Sequence, residues 1–365
     1  MSGVTVAFLA VVGARFLLPL AIFRYPLPAI LACLVLDGVD QTIFQTLGYD
    51  PPGYQGYDKA MDVFYLAIAY LASMRNWASL PAFRVGRFLY FYRLVGVVAF
   101  ELTHARPLLL VFPNTFEYFF IAYEAVRSRW SPRRPSLRWW IGAAALIWVV
   151  VKLPQEYWIH IAQLDLTDVL GQYAWAPPLL AGLVVLVLGV FWFVVRPRLP
   201  EPDWPLRVVA DPLPEEVDTA AEQMAWHREY GAIWSWATGE KVVLVGLLAV
   251  VYAQTIPGIR ATDAQLFLGV GVVVLVNAAF TLAMARRGRS ISSLGIAFAA
   301  RLAANVVVVL VADRLFGLHG GGVDAGALFF FLCLISLVTT LHDRFRPVLA
   351  ARVVAERALA VANPS

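Results

Sequence analysis

The chain has 365 residues, of which 60% are hydrophobic and only 15% are charged, and its mean hydropathy is +0.70. A soluble domain carries roughly 25% charged residues, so the composition excludes an ordinary water-soluble globule and points to a chain dissolved largely in lipid. The formal charge of +4 comes mostly from arginines in short loops between apolar runs, which is a membrane topology signal and gives no support to nucleic-acid binding.

Several apolar runs reach the roughly 20 residues that cross a bilayer as a helix. Backbone groups in lipid must be satisfied within the segment, which selects helices, and the period-two alternation of an outer-membrane barrel is absent. The expected fold is therefore all-α, a polytopic transmembrane helix bundle. Eleven spans are expected, at about 4–23, 27–47, 58–74, 87–103, 107–126, 139–161, 177–195, 241–256, 264–285, 291–311 and 325–341. The first segment lacks a basic leader and is interrupted by Arg15, so it reads as a span and not as a cleavable signal. Cys33 and Cys333 both lie in apolar segments and read as small core residues.

Arginines mark one side of the membrane. Arg75, Arg84 and Arg87 follow the third span, and Arg127, Arg129, Arg133, Arg134 and Arg138 lie between the fifth and sixth. Arg196, Arg198 and Arg207 follow the seventh, Arg286, Arg287 and Arg289 the ninth, and Arg344, Arg346, Arg352 and Arg357 the eleventh. The positive-inside rule then puts the N-terminus outside and the C-terminus in the cytoplasm, with the protein in the cell membrane. Four regions follow: 1–196, seven spans rich in polar residues and the expected functional core; 197–239, a cytoplasmic linker; 240–342, four apolar spans; and 343–365, a basic tail. The linker opens on four prolines, an extended start. Its second half, 215–236, is expected to form an interfacial helix crowded with Trp226, Tyr230, Trp234 and Trp236. The tail is expected to touch anionic lipid. Spans eight to eleven are expected to pack, to form a homo-oligomer or to receive a partner subunit.

Three sets of ionisable residues sit at membrane depth, where a lone charge is costly and marks a functional candidate. Asp37 and Asp40 share one face of the second span, and Asp58 and Asp62 one face of the third. Four carboxylates suit a hard divalent cation such as Mg, Mn or Ca, with Arg15 and Lys59 as alternative counter-charges. Lys152, Glu156 and His160 in KLPQEYWIH form one stripe beside the helix-kinking Pro154, and His160 can titrate near neutral pH. Arg93 and Glu101 on the fourth span face FPNTFEYFFIAYE, with Asn114, Glu117 and Glu124, where Pro113 breaks the fifth. An interhelical Arg93–Glu117 salt bridge is expected, and Arg93 or Lys152 are candidates to hold an anionic head group.

The spacing of the four aspartates resembles the CDP-alcohol phosphotransferase motif, D-x2-D-G-x2-A-R-x8-G-x3-D-x3-D. Asp37, Asp40, Asp58 and Asp62 fall on its acidic positions, whereas Gln41, Phe44, Gln45 and Tyr54 replace its glycine, alanine, arginine and second glycine. The resemblance implies metal ions on the four aspartates, Asp62 as catalytic base, about six spans and a site open to the cytoplasm. The loop charges instead place the loop at 48–57 outside. No nucleotide-binding glycine loop, zinc-protease or hydrolase motif stands in a useful context. Read from the residues, the sequence points first to a transporter or channel moving an ion, a proton or a small polar solute past spans two to six. The alternatives are a metal-dependent enzyme acting on lipid-linked phosphate and a structural or accessory membrane subunit.

Overall fold

A computed structural model describes residues 3–46, 54–162, 164, 166–253, 263–286, 294–316 and 325–362. The side chains of Asp58 and Asp313, and the loops at 47–53 and 317–324, lie outside the described residues. Among the described residues every regular element is helical. The helices are α1 (Gly3–Leu17), α2 (Pro26–Thr46), α3 (Tyr54–Asn76), α4 (Leu80–Thr103), α5 (Pro107–Val111), α6 (Thr115–Arg127), α7 (Leu137–Leu146) and α8 (Leu153–Glu156). They continue with α9 (Leu166–Gln172), α10 (Ala176–Val190), α11 (Ala220–Tyr230), α12 (Trp236–Ala253), α13 (Asp263–Arg286), α14 (Leu294–Phe316) and α15 (Ala325–Ala362).

Five helices are long and apolar enough to cross a membrane: Leu137–Ile161, Ala176–Arg198, Trp236–Ala253, Leu266–Arg286 and Leu328–Glu356. The other six expected segments are largely helical where described, but 107–126 is broken at 112–114, and Phe8–Phe23 and Leu294–Leu310 are shorter apolar stretches. The α10 helix presents Leu183, Val185, Leu186 and Leu188 to its surroundings, each more than half exposed, and Phe193 just beyond its end is exposed as well. In water that surface would be untenable; in lipid it is solvated.

The bundle is built on α3. Its residues Ala67–Ala72 are fully enclosed, with α4, α12, α15 and the 3₁₀ turn Leu18–Phe23 packed around it. Tyr70 stacks on Tyr90 of α4 at 4.6 Å, and Trp77 stacks on Tyr123 of α6 at 4.1 Å. Such stacking adds to the gain from burying large rings. Caps fix where helices begin. The side chain of Ser79 accepts the Ala82 N–H at the start of α4, and that of Ser136 accepts the Trp139 N–H at the start of α7. Thr219 and Glu222 form a reciprocal capping box at α11.

Pro113 separates α5 from α6, and α4 supplies donors to the carbonyls the break leaves open. Tyr92 Oη–H donates to the Val111 carbonyl at 3.0 Å, and Arg93 Nη1 donates to that of Phe112 at 2.9 Å. The helix from Leu137 to Ile161 passes through π-helical stretches at Ile147–Lys152 and Tyr157–Ile161, on either side of Pro154. Proline has no N–H to give, and wide turns of this kind are a common accommodation in interrupted helices.

The basic loops meet at one end of the bundle. Arg127 Nη1 donates to the Val209 carbonyl at 3.2 Å, Trp204 Nε1 to the Arg127 carbonyl at 3.1 Å and the Ala210 N–H to Arg24 at 2.8 Å. Arg352 Nη1 donates to the Trp77 carbonyl at 2.9 Å. The proline-rich linker is therefore pinned along the bundle end. The helix expected over 215–236 is shorter, spanning Ala220–Tyr230, because the chain turns extended at Gly231. Trp234 and Trp236 remain 84% and 74% exposed. The basic tail is the continuation of α15, and its Phe345, Val348 and Leu349 are buried against protein.

Close approach of α4 to the broken segment depends on Gly96, where an added Cβ would lie 2.1 Å from Cβ of Phe112. Gly96→Ala is expected to destabilise the protein by about 1–3 kcal/mol through overpacking, whereas Gly13→Ala, with open space around it, should not. Thermal unfolding of the two variants in detergent checks this.

Candidate functional site

The first part of the site forms where α1, α2 and α3 meet. Arg15 lies near the end of α1 with its side chain 4% exposed, and its guanidinium reaches three carboxylates. Nη2 is 2.5 Å from Asp37 Oδ1 and 2.5 Å from Asp62 Oδ1, while Nη1 pairs with Asp40. The Asp40 side chain is 2% exposed, whereas those of Asp37 and Asp62 are 35% and 39% exposed. One carboxylate is thus sealed and two are reachable. A guanidinium can serve several carboxylates at once because its donors fan out in a plane.

Three of the four motif aspartates therefore converge, and a basic side chain sits among them. Arg15 stands among three of the carboxylates that the phosphotransferase resemblance assigns to metal. Lys59 takes another partner: its Nζ is 3.1 Å from Glu101 Oε1 and 4.4 Å from the ring centroid of Phe100.

Below this cluster lies a second one, built at the break in the fifth segment. The Glu156 carboxylate accepts the Asn114 backbone N–H at 3.2 Å, just ahead of the first turn of α6. It also lies 3.2 Å from Lys152 Nζ and 3.0 Å from His160 Nε2. A carboxylate at a helix N-terminus is favoured by the helix dipole. Lys152 donates to Gln155 Oε1 at 2.9 Å and stands 4.8 Å from the Tyr118 ring centroid. Glu117 accepts the Tyr65 hydroxyl at 2.5 Å and the Asn114 side-chain amide at 2.8 Å. The expected Arg93–Glu117 salt bridge is replaced: Arg93 binds the Phe112 carbonyl, because the break at Pro113 opens an acceptor beside it. Arg93 Nε remains buried and unpartnered.

The later helices hold a third network, of which the sequence marks only Arg301 and Asn305, polar residues inside an apolar span. Lys241 Nζ is 2.7 Å from Asp343 Oδ1, and Arg301 Nη2 is 2.5 Å from Asp343 Oδ2. His227 of α11 meets the Asp343 carbonyl at 3.0 Å. Glu240, one residue earlier on α12, accepts the Tyr70 hydroxyl and lies 3.6 Å from Arg87. Deeper in, Asn277, Asn305 and Ser336 form a chain of hydrogen bonds of 2.7 and 2.9 Å. Glu240 and Lys241 fall at the edge of one expected span and Asp343 just beyond the end of another, whereas Arg301 lies inside the span at 291–311. In the structure α12 starts at Trp236 and α15 runs on to Ala362, so they stand inside helices.

Comparison with known proteins finds no matching family model, no matching curated protein and no matching solved structure. The site is therefore read from its own geometry.

Burial holds the His227 imidazole below its ordinary value, against the opposing pull of Asp343. The unfolded chain takes up this proton near pH 6.5, while the folded chain resists it. Stability is therefore expected to fall as pH drops below about 6.5. The Tm of the wild-type protein should decline more steeply between pH 7 and pH 5 than that of His227→Gln; equal slopes would contradict this.

Proposed function

We propose that the chain is a multi-pass protein of the cell membrane that moves a proton or a small cation through the polar interior of its first eight helices. The observation that carries this reading is the imbalance in the Arg15 cluster: one guanidinium faces three carboxylates, two of them partly exposed. Excess negative charge at membrane depth is costly unless a proton or cation neutralises it. Arg15 would hold Asp40 throughout, leaving Asp37 and Asp62 to exchange their partner with the passing ion.

The broken α5–α6 segment supports the same reading. Discontinuous helices with exposed N-termini are the usual way in which transporters present backbone groups at the bilayer midplane. Here Glu156 faces that N-terminus, with Glu117 in the first turn. Tyr65, Asn114, Glu117, Glu156 and His160 then offer successive exchangeable groups beside the cluster. Eleven spans with the N-terminus outside are consistent with the gathering of Arg24, Arg75, Arg127 and Arg352 at one end, which the positive-inside rule assigns to the cytoplasm. In that orientation the Arg15 cluster lies toward the outer half.

A second reading, a metal-dependent enzyme acting on lipid-linked phosphate, rests on the convergence of Asp37, Asp40 and Asp62. It requires a divalent cation to displace Arg15.

In proteoliposomes under an imposed pH or cation gradient, wild-type protein should raise flux above protein-free vesicles. Asp62→Asn and Glu156→Gln should each lower that flux at least tenfold per molecule of folded protein reconstituted. Unaltered flux through both variants would contradict transport. Stabilisation by Mg or Mn that disappears in Asp62→Asn would favour the enzyme reading.

A further inference from the structure

Two cavities flank Asp343 at the basic end of the bundle, and they share His227, Thr281 and Asp343 in their walls. One, of about 90 Å³, is also lined by Arg301 and Arg344. The other, of about 320 Å³, is also lined by Lys241, Arg346 and the aromatic residues Trp226, Tyr230 and Trp236. Four cationic side chains thus line the two cavities, and two of them, Lys241 and Arg301, touch the Asp343 carboxylate. Glu240, the next nearest acid, lies 3.6 Å from Arg87 and 3.9 Å from Arg346.

Asp343 satisfies only part of this set. Arg301 is 7% exposed; its Nη2 is taken by Asp343 and by Thr281 Oγ1 at 2.8 Å, but its Nη1 is buried without a hydrogen-bond partner. His342, on the wall of the larger cavity, is 1% exposed, and both its ring nitrogens lack hydrogen-bond partners. Buried donors are normally satisfied, and an exception calls for a ligand or a water. Arginine with an open donor among further cations is the usual arrangement for a tetrahedral oxyanion. The aromatic rim is of the kind that sits at the head-group level of a bilayer.

We propose that a phosphate group binds in the smaller of these paired cavities, with Arg301 and Arg344 as its ligands and Lys241 held in place by Asp343. The phosphate belongs to an anionic phospholipid head group or to a free phosphate ion. This site is separate from the Arg15 cluster, and its test does not depend on transport.

Full-length protein in neutral detergent is titrated separately with short-chain phosphatidylglycerol, short-chain phosphatidylcholine and sodium phosphate. Binding is read from tryptophan fluorescence, to which Trp226 and Trp236 in the cavity wall contribute, and from Tm. Saturable binding of phosphatidylglycerol, of inorganic phosphate or of both, without equal binding of phosphatidylcholine, is expected. Phosphatidylglycerol alone identifies a lipid head group; phosphate alone identifies a soluble anion; both together identify the phosphate group itself. The variant Arg344→Gln should weaken binding at least tenfold without lowering the ligand-free Tm. The exposed Arg138→Gln, which also removes charge beside a basic loop, should bind as wild type does. Arg346→Gln, in the wall of the larger cavity and paired with Glu240 at 3.9 Å, should weaken binding less than Arg344→Gln. No saturation with either anion, equal saturation with phosphatidylcholine, or undiminished binding by Arg344→Gln would overturn the proposal.

Discussion

Everything in this molecule hangs on α3 and on the polar contacts it makes while sheathed in apolar packing. Along its length Asp62 meets Arg15 of α1, Tyr65 meets Glu117 of α6, and Tyr70 meets Glu240 of α12. Each contact joins α3 to a different neighbour. Ala67, Ile68, Ala69, Leu71 and Ala72 between them are wholly buried. In lipid, apolar side chains supply little preference for one partner over another, since the tails outside are as oily as the core. Directional pairs therefore decide which helices meet α3 and at what height. Removing one partner from such a pair costs more than the pair contributes, because a buried group is left unmatched.

The same economy explains where the structure is irregular. The break at Pro113 would strand two carbonyls in the bundle, and Tyr92 and Arg93 reach across from α4 to take them. The backbone N–H released beyond the break goes to Glu156. Glu156 is in turn flanked by Lys152 and His160 from its own helix. Polar backbone at this depth is tolerated because protein, not lipid, surrounds it. By contrast α10 has no such irregularity before Phe191 and no buried charge, and it stands largely exposed.

Much of this was legible in the sequence. Apolar runs gave the helices, and arginine-rich loops gave the shared end. The stripe Lys152, Glu156, His160 followed from spacing alone, because side chains four apart on a helix stack on one face. Arg15 could be named as a counter-charge to the aspartates because it was the one cation in the first segment. Its role as a hub for three of them could not, since spacing does not say which helices touch. The Arg93–Glu117 pairing failed for a related reason: a proline break creates backbone acceptors that compete with a carboxylate. The Lys241–Asp343 pair escaped because hydropathy trims charges from the ends of apolar runs, whereas helices continue through them; Arg301 stood inside a span, but spacing did not reveal its partner. Tyr65 and Tyr70 escaped because tyrosine in an apolar stretch reads as packing until a carboxylate is found opposite its hydroxyl.

The central claim is that Arg15 holds together an excess of carboxylate between α1, α2 and α3. A double-mutant cycle on Arg15→Gln and Asp40→Asn, read by reversible unfolding in detergent, tests it most directly. With Arg15 present, Asp40→Asn removes the partner of a buried cation and should destabilise the protein. With Arg15 replaced, the same substitution removes one of three crowded charges and should cost less, by a coupling of about 1–3 kcal/mol. Effects that add within about 0.5 kcal/mol would show that Arg15 and Asp40 act independently, and the hub would have to be abandoned.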